Sequence, residues 1–334
     1  MSIPDIDASA GRGHHDRVRS PPVAPTTAHQ ILNAIGNTPL VELRRIVPQG
    51  SARIVAKLES SNPSGSMKDR VAKAMIEAAA LDGRLRPGGT VVEYTAGTTG
   101  ISLALVATAM GYRSHLVSSD AFSEEKLITM RAYGAELTLV PSDQKKITEK
   151  LIKTMISTAA GIGRRPGHWA VDQLENRDGE RGYEPLGEEM HRQSGGIDAL
   201  VHCVGTAHSI HGSARALRGR NPKARVVAWE PSESAVLSGK PSGANRIEGI
   251  GIGFIPPLWR PDEVDDLQTV SGEEAAAMAR RLAREEGIFV GTSSGGNVVV
   301  ALRVAKQLGP GATVGTILVD SGLRYLSTDL FRTA

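Results

Sequence analysis

The sequence predicts an α/β protein built as two three-layer αβα lobes with mostly parallel, twisted sheets. Three observations carry that prediction. From about residue 28, short β-branched runs alternate with helical stretches, the rhythm of β-α-β units. The strand-like runs are apolar at successive positions, as expected where helices cover both faces of a parallel sheet. With 334 residues the chain is long for one core and ample for two.

Taken in order, the candidate strands are residues 54–58, 90–94, 115–118, 136–140, 199–204, 225–229, 288–290 and 314–319. Residues 69–81 place Val71, Met75 and Ala79 at helical spacing. Residues 99–110 follow a strand and a glycine turn, and are apolar enough for a buried helix. The stretch 161–167 (Gly-Ile-Gly-Arg-Arg-Pro-Gly) reads as a loop near the middle, where two lobes could meet. Residues 1–27, rich in Pro, Ser, Asp, Arg and Gly, predict a flexible tail. Sites in such sheets form outside the carboxyl ends of the strands, so the loops after strands carry the functional reading.

Composition narrows the function. A formal charge of +3, with both signs mixed along the chain, argues against a nucleic-acid groove, and 4% aromatics are too few for base stacking. One cysteine, Cys203, allows neither an intramolecular disulfide nor a cysteine-based zinc site. No apolar run is long enough to span a bilayer, and the N-terminus lacks a secretory pattern, so a cytoplasmic setting is expected. The ligand is expected to be small.

Four loops could converge on one site. Residues 60–70 form a Pro/Gly/Ser loop that leads into a helix with Lys68 at its entrance. An amine facing the positive end of a helix dipole has a lowered pKa, which suits a Schiff-base lysine; a solvated surface lysine is the plain alternative. Thr95-Ala96-Gly97-Thr98-Thr99-Gly100 lies between a strand and a helix, where free N–H groups can hold a carboxylate or phosphate, or simply make a tight turn. Gly205-Thr206-Ala207-His208-Ser209 again follows an apolar strand, and reads as an anion cradle or an ordinary helix cap. Gly291-Thr292-Ser293-Ser294-Gly295 fits the G-x-S-x-G nucleophile elbow, but no histidine follows His211, so the serine-hydrolase chain order fails. His202, His208 and His211 have no accompanying carboxylate, so no metal is expected. The dinucleotide fingerprint and the P-loop are both absent.

Together these loops resemble the pyridoxal-phosphate-dependent cysteine synthase and cystathionine β-synthase family, over about residues 30–330. Asn37-Thr38-Pro39-Leu40 is similar to its N-T-P-L opening, and residues 61–70 to its N-P-x-x-S-x-K-D-R loop. Residues 230–237 and 248–251 resemble its E-P-x-x-S-x-x-L and G-I-G elements, and 291–295 its G-x-S-S-G. The resemblance implies a fold type II enzyme with pyridoxal 5′-phosphate in the cleft between the lobes. Lys68 would hold the cofactor and shuttle the α-proton. Gly205, Thr206, Ala207, His208 and Ser209 would hold its phosphate, Thr98 would stand near its ring oxygen, and Ser293 would hydrogen-bond the ring nitrogen. A neutral hydroxyl there favours prompt β-elimination over a long-lived carbanion. Thr95, Ala96, Gly97, Thr99, Gln173 and Gly249 would bind the substrate.

The implied reaction is β-replacement on an activated serine such as O-acetylserine, through an aminoacrylate, giving cysteine or a β-substituted alanine. Its partners would be a small amino acid and a small nucleophile, with no nucleic acid and no membrane, in a homodimer. Residues 62–175 would form a smaller mobile lobe, and 28–61 with 176–334 the larger cofactor-binding lobe. Two loops depart from the family pattern: Ala96 and Thr98 stand where Ser and Asn are expected, and Ala207 and His208 replace glycines. His208 would add a titratable group beside the phosphate. These departures keep two alternatives open: a β-elimination lyase of the same fold, such as a desulfhydrase or dehydratase, and a non-catalytic relative.

Overall fold

The computed structural model describes residues 30–144 and 147–332; the expected tail lies outside them. The strands are β1 (Leu40–Leu43), β2 (Arg53–Leu58), β3 (Thr90–Tyr94), β4 (Arg113–Ser119), β5 (Glu136–Val140), β6 (His168–Ala170), β7 (Ala199–Cys203), β8 (Arg225–Pro231), β9 (Asp266–Val270) and β10 (Thr313–Leu318). They form a six-stranded sheet, β1-β2-β10-β7-β8-β9, and a four-stranded sheet, β5-β4-β3-β6. Every pairing is parallel except β1 with β2. The helices are α1 (Gln30–Asn33), α2 (Lys68–Leu81), α3 (Thr98–Ala109), α4 (Glu124–Ala132), α5 (Glu149–Gly163), α6 (Asp178–Arg181), α7 (Glu184–Ser194), α8 (His208–Arg220), α9 (Gly272–Arg281) and α10 (Thr292–Leu308). The α/β class with mostly parallel sheets is as the sequence predicts.

The central strands β3, β7 and β10 are buried at every position, which is why they read as continuous apolar runs. Helix α2 turns Val71, Ala72, Met75, Ile76 and Ala79 inward, and α3 is buried from Thr99 to Ala107. A Ser271–Glu274 capping box starts α9.

Three strands lie outside the sequence reading: β1, β6 and β9. Each sits at a sheet edge, where the strand is half exposed and the apolar run breaks. The expected strand at 288–290 does not form. A π-helical turn, Leu282–Glu286, ends on the left-handed Gly287, and Val290 makes only an isolated bridge to Ser321. The 291–295 segment therefore lacks the strand that a nucleophile elbow requires. The expected loop 161–167 is also shorter, because α5 continues through Gly163. What remains leads into β6 within the smaller sheet, not to a junction between lobes.

Candidate active site

Lys68 opens α2. The segment before it is tied to the end of β10: Met67 N–H donates to Val319 O at 2.9 Å, and Ser66 bridges Asp320. The loop is closed from behind by Ser64 N–H to Asp69 Oδ2 at 2.7 Å and by Arg324, which donates to Ser64 O. Lys68 Nζ has no hydrogen-bond or ion-pair partner among the described residues. Burial pushes its pKa down, and Cys203 and Asp320 only oppose that shift. The result favours a free amine. Cys203 itself, pushed up to about 12 by burial, stays a thiol.

A buried charge network holds the same loop. Arg70 donates to Glu59 through Nε (2.8 Å) and Nη2 (2.9 Å), and to Glu189 through Nη1 (2.9 Å) and Nη2 (2.8 Å). Thr38 Oγ1 donates to Glu59 at 2.7 Å, and Asn62 Nδ2 donates to it at 2.8 Å. Lys57 completes the network with Glu189 at 2.8 Å. The N-T-P-L and K-D-R motifs are thus two ends of one structure.

The loop after β7 contains Ala207 at φ +71°, a left-handed turn that costs a non-glycine residue roughly 1–2 kcal/mol. That turn delivers the chain into α8, whose first turn carries no acidic residue. Gly205 is required by close approach: a Cβ there would come 2.8 Å from Gly249 O. The side chains around this loop divide its hydroxyls. His208 Nε2 faces the Asn176 carbonyl at 2.7 Å, so Nε2 carries the proton and donates. Burial holds His208 at about 4, so Nδ1 is bare and accepts from Thr206 Oγ1 at 2.8 Å. The Thr206 hydroxyl proton is therefore already committed. In this structure His208 is a buried, neutral strut that turns toward Asn176.

Ser209 is different. Asn297 Oδ1 accepts from Cys203 N (2.9 Å) and Trp229 Nε1 (2.7 Å), which fixes the amide orientation. Asn297 Nδ2 then faces His202 Nδ1 at 3.2 Å. His202, held at about 3 by burial, is neutral, so its Nε2–H donates to Ser209 Oγ at 2.9 Å. The Ser209 proton is left free to donate to a ligand. Neither Asn297 nor the role of His202 was legible beforehand; the one signal was a histidine inside an otherwise apolar strand.

Ser293 and Ser294 at the start of α10 also divide. Ser294 Oγ accepts from Val319 N at 2.9 Å, whereas Ser293 Oγ has no partner among the described residues. In the 95–100 loop, Thr95 Oγ1 accepts from Gly97 N and Gly100 N, both at 2.9 Å. Thr95 is thus a cap of α3, and its hydroxyl faces inward. The N–H groups and hydroxyls of Thr98 and Thr99 have no such partner. Gly97, at φ +131°, is needed because any Cβ would collide with Lys126. Lys126 pairs with Glu248 and lies 4.4 Å from the Tyr325 ring centroid, linking this loop to the 249 segment. Gln173 donates its amide to Tyr94 O at 3.0 Å and would have to turn to meet a substrate.

These residues fit a phosphorylated aldehyde. A desolvated, unpartnered amine stands beside an anion cradle of open helix N-terminus and Ser209 O–H, and Ser293 offers a further unpartnered hydroxyl. The family model of the pyridoxal-phosphate dependent enzymes matches residues 31–320. The chain belongs to that family. As a pyridoxal-phosphate dependent enzyme it is 40% identical, over 90% of its length and 96% of the relative, to the cysteine synthase of Staphylococcus aureus strain N315. It is similar to the O-acetyl serine sulfhydrylase isoform 3 of Entamoeba histolytica (35% identity, 95% of each chain, TM-score 0.85). An O-ureido-L-serine synthase structure also matches (37% identity, 90% of this chain and 94% of that one, TM-score 0.82).

This pyridoxal-phosphate dependent enzyme also carries a testable acid sensitivity. Below His208's ordinary 6.5 the unfolded chain takes a proton that the folded chain refuses until about 4. Stability is therefore full above pH 6.5 and declines as pH falls toward 4. His208→Gln should flatten the decline between about pH 7 and about pH 4 by on the order of 3 kcal/mol, read by urea unfolding.

Proposed function

We propose that this enzyme replaces the β-substituent of an activated serine, such as O-acetylserine, with a nucleophile to give cysteine or a β-substituted alanine. The observation that carries the reading is the unpartnered, desolvated Lys68 amine at the meeting of the β7 and β10 ends. Lys68 would hold pyridoxal phosphate covalently, with the 205–209 loop at the phosphate and Ser293 at the ring nitrogen. When bound, the cofactor supplies the sink for electrons released at Cα.

The chain's own residues supply position and proton traffic. The free N–H groups of Thr98 and Thr99 at the start of α3 bind the substrate carboxylate, with Ala96 and Gly97 beside it. Lys68 Nζ, whose pKa burial lowers, removes the α-proton and later returns it. Ser209, oriented by His202, would donate to the cofactor phosphate. Ser293 offers a hydrogen bond without a negative charge, which keeps the ring nitrogen from being held protonated. Ser293→Asp should therefore lower kcat by roughly tenfold, the scale of one hydrogen bond, while cofactor loading persists; steady-state rates with absorbance titration check both.

Residues 62–175 closing over residues 28–61 and 176–334, a homodimer and a cytoplasmic setting belong to the same reading. Among the described residues no helix is long and apolar enough to cross a membrane. A β-elimination lyase is the second reading, favoured by Ala96, which brings no hydroxyl to the substrate loop. Holoenzyme with O-acetylserine and sulfide should yield cysteine and acetate in equal amounts. Pyruvate and ammonia, formed equally fast without a nucleophile, would favour the lyase.

A further inference from the structure

We propose that the cavity beside Ala96 admits the nucleophile and selects an uncharged organic thiol with a compact apolar body over sulfide or a carboxylate-bearing thiol. The proposal rests on the replacement reading above and names the second substrate of that site. The cavity measures about 250 Å³ and is walled by Ala96, Phe122, Ile152, Gly249, Ile250 and Ile252. A water-sized ligand takes roughly 30 Å³, so sulfide would leave most of this space to solvent. A thiol with about eight non-hydrogen atoms would displace that water from apolar walls, the favourable direction for burial.

Three further observations set the position and the charge preference. Ala96 opens the 95–100 loop, and Gly249 O lies against Gly205 of the 205–209 loop, so the cavity borders both arms of the site. Phe122 and Ile152 belong to a buried cluster against which Ala96 and Ile252 pack, so that side of the cavity is part of the folded core. The charged residues in the lining are Glu149 and Glu248, with no basic residue among them. Glu248 is paired with Lys126, and Glu149 with Lys153 at 2.7 Å. A carboxylate entering here would lose its hydration and find no cation in the lining, only the neutral donors of Thr148, Ser242 and Asn245 beside the two glutamates. An uncharged thiol would not.

The step balances without a further reactant. The Cβ–O bond breaks and the leaving carboxylate takes its electron pair. A sulfur lone pair then forms the Cβ–S bond. The thiol proton passes to solvent, and Lys68 returns the α-proton it removed.

The test uses holoenzyme, O-acetylserine, and sulfide, benzyl mercaptan or 3-mercaptopropionate as the nucleophile, with products separated and counted. Benzyl mercaptan should exceed sulfide in kcat/KM and exceed 3-mercaptopropionate by at least about tenfold, a difference of ~1.4 kcal/mol. Ala244→Trp and, separately, Ser242→Trp narrow the cavity from its exposed wall. Each should move the benzyl-mercaptan-to-sulfide ratio about tenfold toward sulfide. Normal sulfide turnover with benzyl mercaptan slower than sulfide, and a ratio unmoved in both variants, would overturn the proposal. Pyruvate with no replacement product from any nucleophile would instead sink the replacement reading, and the proposal with it.

Discussion

Lys68→Ala is expected to reduce turnover by roughly 10³-fold or more, because positioned proton transfer alone is worth about 10²–10⁴. The same substitution should leave folding intact. Lys68 Nζ makes no hydrogen bond or ion pair among the described residues, so its removal orphans no partner. Burial opposes the charged form of this amine, so its loss relieves a cost. Urea unfolding of the cofactor-free proteins should therefore show equal or greater stability in the variant, while the visible cofactor absorbance of the loaded wild type disappears in it. An inactive protein that is also destabilised would point to a structural lysine instead.

Arg70→Ala should have the largest effect on stability, a loss of about 3–5 kcal/mol in denaturant unfolding. Arg70 satisfies two buried carboxylates at once. Burial alone would raise Glu189, yet the Arg70 guanidinium and Lys57 ammonium hold it at about 2. Without Arg70, Glu59 is left with neutral donors from Thr38 and Asn62. Arg70→Lys should recover only part of the loss, since a point charge cannot bridge both carboxylates in the fork geometry. Because Asn62 also accepts from Gly36 N at 2.8 Å, activity should fall with stability in both variants.

The fold class was legible because the interior strands β3, β7 and β10 are buried on both faces and leave unbroken apolar runs. The edge strands were not. Asp266–Val270 mixes Asp, Gln and Thr with two apolar residues, and only its pairing with β8 makes it a strand. At 288–290 the apolar run was real, but a π turn and Gly287 direct it away from either sheet.

The site divides along a similar line. Lys68 and Ser293 lie in local motifs, and the resemblance of those motifs to the family, more than spacing, singled them out. Which hydroxyl remains free depends on partners far along the chain: Val319 takes Ser294, and Asn176 together with His208 takes Thr206. Asn297 lies in α10 and belongs to none of the sequence motifs. Its four hydrogen-bond partners lie on three different strands, β7, β8 and β10, and spacing alone gives no sign of that. The Lys126–Glu248 pair spans 122 positions and was equally silent.

Reduction of the holoenzyme with borohydride, followed by proteolysis and mass mapping, tests the central claim most directly. A single phosphopyridoxyl adduct on the peptide that contains Lys68 is the expected result. An adduct on another lysine, or no adduct from cofactor-loaded protein, would contradict it.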